Sequence, residues 1–259
     1  MKQNGYKKSF GLISIIMAAY NAENTIGQAI TSVIQQTYTD FELIIINDCS
    51  TDRTVDVINE FIKKDARIRL INNSKNMGVS YTRKHGLDEA KGSWIAILDS
   101  DDLWLPEKLA KQVEFQKKTN ADLLYTGSGF MNVDGKQINW KLNVPEVITY
   151  RQLLKQNILS NSSALVRKDL YEKYYAVGDD MHEDFAIWLQ ILRNGIKAYG
   201  INEPLLIYRL DDKSKSGNKL KAAMMNWNTY RYIGLNLLEA AYYEFWYAIN
   251  GLCKYKHFR

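Results

Sequence analysis

Trp94-Ile95-Ala96-Ile97-Leu98-Asp99-Ser100-Asp101-Asp102 is the stretch that decides the fold. Five apolar residues, bounded by Gly92-Ser93, run straight into three carboxylates within four positions. The run from Trp94 to Leu98 predicts a buried strand. Like charges this close repel and raise one another's pKa, so the tip needs something positive beside it. In an alternating βα chain, ligands sit outside the carboxyl ends of the strands, where this tip falls. A hard divalent cation that bridges phosphate oxygens suits aspartates in such a place. The simpler account makes one Asp the cap of a helix beginning near Pro106, but a cap needs one acid, not three.

Upstream, the same pattern repeats. Leu12 to Met17 is a near-continuous apolar run, as expected of a strand buried on both faces. Ala18-Ala19-Tyr20-Asn21 then predicts a loop whose small residues let a ligand approach, with Tyr20 either a stacking ring or an ordinary half-buried aromatic. A helix is expected from Asn24-Thr25 to about Gln36, with Ile26, Ala29, Ile30, Val33 and Ile34 on one face. Glu42 to Ile46 is the second strand and ends in Asn47-Asp48-Cys49-Ser50-Thr51-Asp52. Ser50, Thr51 or Asp52 serves to cap the next helix, to about Lys64; Asp48 precedes the turn and is left over by that account. Arg67 to Ile71 is the third strand, and a helix from Val79 to about Ala90 carries Arg83, Lys84 and His85. A basic pair there is either solvated or placed for a phosphate. Three strand–helix repeats in about 100 residues predict a mainly parallel sheet with right-handed crossovers. Neither G-x-G-x-x-G nor G-x-x-x-x-G-K-[ST] occurs, which disfavours the glycine-cradled modes of phosphate binding.

Downstream the pattern loosens. A helix to about Lys118, a strand from Asp122 to Thr126, a hairpin at Asn132–Lys136, a helix at Tyr150–Gln156 and strands at Ser162–Arg167 and Leu205–Tyr208 are expected. His182-Glu183-Asp184 opens an amphipathic helix with Phe185, Trp188, Leu189 and Leu192 at helical spacing, closed by Gly195. Glu183 and Asp184 suit the helix dipole and equally suit a general base held on a rigid element; the residues alone leave both open.

The chain of 259 residues is 46% apolar, which suits one sizeable α/β domain with an appendage. The run after the N-terminal lysines is too short for a signal peptide. Cys49 and Cys253 make no disulfide framework and fit a reducing cytoplasm, and three histidines rule out a Cys/His zinc cluster. The net charge is +5, but from Lys213 on eight Lys/Arg stand against Glu239 and Glu244, so the first 212 residues are close to neutral.

These residues together resemble the family-2 inverting glycosyltransferases, which have the GT-A fold. The matching pieces are Ile13–Asn21, Ser32–Asp52, Asn76–Arg83, Trp94–Asp102 and His182–Leu189, in the family's order, over roughly residues 10 to 210. The resemblance implies a Rossmann-like α/β fold with a mixed, mainly parallel central sheet flanked by helices. It implies a catalytic domain over 1–212, with a nucleotide-binding half at about 10–102 and an acceptor half at about 103–212. It also implies roles. Ala18 and Tyr20 line the nucleotide pocket, Asp48 bonds the base, and Arg83 contacts the nucleotide or its phosphates. Asp99 and Asp101 form a D-x-D pair, Asp101 the ligand of Mg²⁺ or Mn²⁺ and Asp99 the contact to ribose or sugar. Asp184 is the catalytic base, with Glu183 beside it. Asn47 departs from the acid frequent at its position. The Q-x-x-R-W motif of processive members is absent, which implies transfer of a single sugar. The donor implied is a nucleotide diphosphate sugar, UDP-linked, and the acceptor a glycan or lipid-linked hydroxyl in bacterial surface polysaccharide synthesis.

The tail from 213 to 259 falls outside those matching pieces. Its lysines flank Trp227, Tyr230, Tyr232, Tyr242, Tyr243, Phe245, Trp246 and Tyr247. Glu239 and Glu244 interrupt any membrane span. The pattern suits a helix lying on the inner face of the cytoplasmic membrane, or else a helical pair packed on the domain or across a homo-oligomer. No recognition motif supports nucleic acid. Two rivals remain to the transferase: a sugar nucleotidyltransferase, which lacks its glycine-rich basic loop here, and a non-catalytic nucleotide-sugar-binding scaffold, against which Asp101 and Asp184 speak.

Overall fold

The computed structural model describes residues 10–210 and 219–255. The expected domain boundary at 212/213, the N-terminal lysines, Lys213 and Lys215, and the terminal Lys256 and Arg259 lie outside the described residues. The chain begins as three strand–helix repeats and a fourth strand: β1 (Ile13–Ala19), α1 (Ile26–Ile34), β2 (Phe41–Asn47), α2 (Thr54–Ile62), β3 (Ile68–Asn72), α3 (Val79–Asp88) and β4 (Trp94–Ile97). Then follow β5 (Leu103–Trp104), α4 (Lys108–Thr119), β6 (Leu123–Met131), β7 (Gln137–Leu142), β8 (Val147–Ile148) and α5 (Tyr150–Lys155). A single 3₁₀ turn at Asn161–Ser163 leads into β9 (Leu165–Arg167), α6 (Lys168–Lys173), α7 (Glu183–Arg193), β10 (Ala198–Arg209), α8 (Lys219–Tyr232) and α9 (Leu237–Tyr255).

One sheet carries all of the strands, in the order β3-β2-β1-β4-β9-β6-β10-β5, with β7 beside β6 and β8 beside β10. The first four are parallel, β9 is antiparallel to both its neighbours, and β6 and β10 are parallel. This is the mixed, mainly parallel sheet expected of a GT-A domain. Apolar runs without alternation are what a sheet covered on both faces demands. Ile13, Ile15 and Met17 of β1 face one core, with α1 and α2, while Ile16 faces the other. β2 divides in the same way, Leu43 and Ile45 against Ile44 and Ile46, and β4 Trp94 and Ala96 against Ile95 and Ile97. The order reverses between β1 and β4, so their carboxyl ends flank the switch-point crevice.

α3 reaches the acidic tip because it lies unusually close to the sheet. A Cβ on Gly86 would stand 2.5 Å from Cδ1 of Ile46 and 2.7 Å from Cγ2 of Ile16, so only glycine permits this approach. Two strands are longer than the sequence pattern indicates. β6 continues through Gly127-Ser128-Gly129, where a Cβ on Gly127 would meet the carbonyls of Glu203 and Leu142 at 2.9 Å. Gly127 serves close backbone approach and Gly129 makes room for the Ile207 side chain; neither marks a turn. β10 runs from Ala198 through Pro204 by way of register shifts at Ile201/Pro204 and Pro204/Leu206, and those absorb the proline. Ser162-Ser163, expected to be strand, form the 3₁₀ turn instead.

The C-terminal helices pack on the domain. Tyr230, Ile233, Leu235 and Ala240 are buried in the same core as Phe185, Trp188 and Leu189 of α7. The Tyr230 hydroxyl donates to the Leu154 carbonyl at 2.5 Å. Outward, Leu220 and Met224 on α8 and Leu238, Tyr242 and Phe245 on α9 are exposed, the last three at spacings that put them on one helix face. No helix among the described residues is long and apolar enough to cross a membrane.

Candidate active site

β4 ends where the sequence turns from apolar to acidic, and the three acids then part company. Asp99 is half-buried; its N–H donates to Oγ of Ser162 at 3.2 Å and its carboxylate accepts from Nη2 of Arg83. Asp101 makes no ion pair with any described residue: its backbone carbonyl accepts from Nε of Arg209 at 2.9 Å, while its carboxylate remains beside that of Asp99. Burial and the Asp99 charge push the Asp101 carboxyl up to about 6. Asp102 is fully buried, and its Oδ1 accepts the backbone N–H of Arg209 at 2.9 Å. Burial, with Asp101 and Asp99 nearby, pushes it well above the ordinary carboxylate range. None of the three caps α4, whose N-cap position, Glu107, has no side-chain cap.

Arg83 ties this tip to the second half of the chain. It sits on the buried side of α3, and its Nη1 donates to the Glu183 carboxylate in the first turn of α7. Glu183 lies 100 residues from Arg83 and Asp99 only 16, so one guanidinium fastens two distant acids together. Arg83 was expected to contact the nucleotide or its phosphates; in this structure both of its terminal nitrogens engage carboxylates, and only Nε is left without a partner. Burial raises the Asp184 carboxyl, the Arg83 guanidinium lowers it, and Asp99 adds to the rise; the net direction is upward. A carboxylate nudged upward is a better proton acceptor than an ordinary one.

The entrance to α7 is fixed by its neighbours. Eight of the eleven residues of α7 are buried, which locks the helix on the sheet. Just before it, the His182 N–H donates to Oγ1 of Thr229 at 3.0 Å, and Nδ2 of Asn228 donates to the Asp180 carbonyl at 2.8 Å. Tyr175 and Gly178 bond the carbonyl and hydroxyl of Ser80 on α3. The segment that presents Asp184 is therefore held from α3 on one side and α8 on the other.

On the other flank of the crevice stand the expected nucleotide residues. Ala18 is half-buried near the end of β1, and Tyr20 beyond it is 52% exposed, an aromatic face open to solvent. Asp48 is buried and works within the protein: Oδ1 accepts from Nδ2 of Asn73 and the Met77 N–H, both at 2.8 Å, and Oδ2 from the Gly78 N–H at 2.9 Å. It fixes the turn that starts α3, and it retains lone pairs for a further donor. Ala18, Tyr20 and Asp48 thus gather at the ends of β1 and β2, while Asp99, Asp101, Arg83, Glu183 and Asp184 gather at the end of β4.

Among the described residues there is no cluster of three or more His, Cys, Asp or Glu side chains able to cage a metal. Asp101 fits a different arrangement, one carboxylate plus phosphate oxygens, which is how Mg²⁺ is usually held. Its unpaired carboxylate at the strand end supplies that donor. Arg209, Ser162 and Asn161 were not expected from the sequence. Arg209 arrives from 107 residues away, and nothing local in its sequence points to the tip.

A family model described as "Glycosyl transferase family 2" matches residues 14–175. Two Escherichia coli proteins, the UDP-Glc:alpha-D-GlcNAc-diphosphoundecaprenol beta-1,3-glucosyltransferases WfaP and WfgD, are 37% and 34% identical to this chain, over 94% of it and 95% of each. The crystal structure of S. aureus TarS 1-349 in complex with UDP-GlcNAc superposes with a TM-score of 0.71 at 19% identity, covering 91% of this chain and 71% of that one. That likeness establishes a shared fold.

Proposed function

This chain belongs to glycosyltransferase family 2, and from that premise we propose that it transfers a single sugar, with inversion, from a UDP-linked donor to a hydroxyl of a lipid-linked acceptor in bacterial surface polysaccharide synthesis. The observation that carries the reading is the Arg83 bridge, which draws the β4 acids and the first turn of α7 into one site. WfaP and WfgD act with UDP-glucose on a diphosphoundecaprenol-linked sugar, and their similarity runs almost end to end. UDP-glucose is accordingly the donor to test first.

In this reading Tyr20 stacks on the base, Asp48 accepts from it, and Ala18 leaves room beside them. Asp99 bonds the ribose or sugar. Asp101 would be the residue that holds Mg²⁺ or Mn²⁺, and such an ion would supply positive charge against the leaving diphosphate. Asp184 takes the proton of the acceptor hydroxyl as that oxygen attacks the anomeric carbon from the face opposite the diphosphate; one displacement inverts the configuration. Glu183 and Arg83 set the position of Asp184 and Asp99. The unit up to about residue 212 is the catalytic domain, its first half serving the nucleotide and its second the acceptor. The α8–α9 pair is an appended hairpin that docks by its inner face. Its exposed face, Leu238, Tyr242 and Phe245, rests on the inner leaflet, where a lipid-linked acceptor is presented.

The test is a thermal-shift panel of UDP-sugars with and without Mn²⁺, on the wild type and on Asp101→Ala. A ligand that binds only the folded state raises the melting temperature. A metal-dependent shift that disappears in the variant supports the site; no shift with any donor, from a well-folded wild type, removes it. The anomeric configuration of the product, read by NMR coupling, tests inversion.

A further inference from the structure

Between the acidic tip and β9 lies a side chain with no work to do. Asn161 is 6% exposed, and neither its nitrogen nor its oxygen finds a partner. Its surroundings are firmly tied. Trp104 Nε1 donates to the Ser162 carbonyl at 2.7 Å, Gln112 Nε2 to the Ser163 carbonyl at 3.0 Å, and Ser163 Oγ to the Ser160 carbonyl at 2.7 Å. The Asn161 carbonyl accepts the Ala164 N–H at 3.1 Å. The segment is thus fixed while its carboxamide is idle. A buried amide left unmet is costly, and native proteins keep such groups where function requires them.

Strand register says where Asn161 sits. β4 and β9 pair antiparallel with Trp94 opposite Arg167, Ile95 opposite Val166 and Ala96 opposite Leu165. Continued past the strand ends, that register sets Asp99 beside Ser162, and those two are in fact bonded. Asn161 precedes Ser162 in the same 3₁₀ turn, so the bond from Asp99 to Ser162 puts Asn161 next to the stretch from Asp99 to Asp101. Across the sheet, the expected base-binding residues lie on β1 and β2, on one side of β4, while Asn161 lies on the β9 side. A nucleotide sugar with its base on the first side and its diphosphate at the tip of β4 would place its sugar on the second.

We propose that Asn161 is a sugar-recognition residue of the donor site, its carboxamide giving and accepting hydrogen bonds with neighbouring hydroxyls of the sugar ring. An uncharged group that is donor and acceptor at once matches a polyol and not a phosphate. This rests on the donor reading above, and the experiment separates the two. Binding of UDP and of UDP-glucose, UDP-galactose, UDP-N-acetylglucosamine and UDP-N-acetylgalactosamine is measured by calorimetry with Mn²⁺ on the wild type, Asn161→Ala and Asn161→Leu. The expected result is that UDP binds all three proteins within about 2-fold, whereas the best sugar donor loses about 10-fold or more in both variants, the scale of one or two lost hydrogen bonds. The melting temperature of ligand-free Asn161→Leu should equal or exceed that of the wild type, because an apolar side chain removes an unmet amide. Undiminished donor binding in both variants would overturn the proposal, as would a wild type that binds UDP-sugars no more tightly than UDP. A melting temperature lowered by several degrees in both variants would also overturn it and make Asn161 a structural ligand of a trapped water. A wild type that binds neither UDP nor any donor sinks the donor reading itself.

Discussion

Replacing Arg83 with Met should cost about 3–6 kcal/mol of stability, because it strands a buried carboxylate. The side chains of Arg83 and Glu183 are 9% and 7% exposed, so this pair lies in the regime where removing one partner typically costs about 3–5 kcal/mol. Asp99 is 31% exposed, and water covers part of its loss; the Arg83–Asp99 half of the bridge adds on the order of 1 kcal/mol or less. For a domain of this size the sum corresponds to a fall in melting temperature of roughly 6–24 °C. The diagnostic variant is the double change Arg83→Met, Glu183→Leu. Removing both members of the buried pair leaves no charge stranded at 183, so the double variant should recover most of the stability lost by Arg83→Met alone. Urea unfolding of the wild type, the two single variants and the double variant gives the coupling directly. A cost below 1 kcal/mol for Arg83→Met, or strict additivity in the double variant, would refute the view that this guanidinium is the clasp between the sheet and α7. Activity offers a second check: the double variant should remain slow although it is stable, because Asp99 and Asp184 have lost their common anchor.

Four further outcomes follow from the same geometry. Asp184→Asn should lower turnover by about 10²–10⁴-fold while donor affinity, read by calorimetry, stays within a few-fold, as befits a base that acts on the acceptor. Because the folded protein holds Asp101 protonated more readily than the unfolded chain does, ligand-free stability should fall as pH rises from about 4 through 6. Asp101→Asn should flatten that slope and stabilise the ligand-free protein at pH 7.5 by about 1–3 kcal/mol, measured by urea titration at several pH values. Gly86→Ala should destabilise by about 1–3 kcal/mol despite alanine's better helix propensity, since its methyl meets Ile16 and Ile46; adding Ile46→Val, which removes the Cδ1 contact, should return part of the loss. Leu238→Glu with Phe245→Glu should reduce co-sedimentation with phosphatidylglycerol vesicles by about tenfold or more; unchanged sedimentation would remove the membrane from the reading.

The first hundred residues announced their structure because β1, β2 and β4 are apolar runs buried on both faces and α1 and α2 each show one apolar stripe. Those are local patterns, and β1 to β4 fell within a few residues of their expected places. The second half was harder for a physical reason. Gly127, Gly200 and Pro204 read as breaks in a single sequence, but in the sheet they mark backbones in close contact and a bulged strand, neither of which the local pattern encodes. The site shows the same division. Asp99, Asp101, Glu183 and Asp184 stood out as acids in telling places. Arg209, Ser162 and Asn161 did not, since their meaning comes only from what lies opposite them across the sheet. Asp48 and Arg83 were legible as candidates for the site, but their internal bonds, to the 73–78 turn and to the two acids, were not.

Three carboxylates in four positions are expensive, and the fold treats each of them differently. Asp99 is half-buried; its carboxylate is matched by Arg83, and its backbone N–H donates to Oγ of Ser162. Asp102 is buried, favours its protonated form and anchors the end of β10 through the Arg209 N–H. The Arg209 guanidinium reaches back to the carbonyls of Asp101 and Val133 and to the Gln28 side chain, so this clamp fixes the peptide that carries Asp101 without neutralising its carboxylate. Asp101 is therefore held in place by its backbone, while its carboxylate makes no ion pair with any described residue. If stability alone had shaped the tip, Asn at this position would serve as well and cost less. An acid that the protein positions so firmly and yet leaves unpaired is complementary to a charge the protein does not itself contain, and a metal-bound diphosphate is the ligand class that brings one.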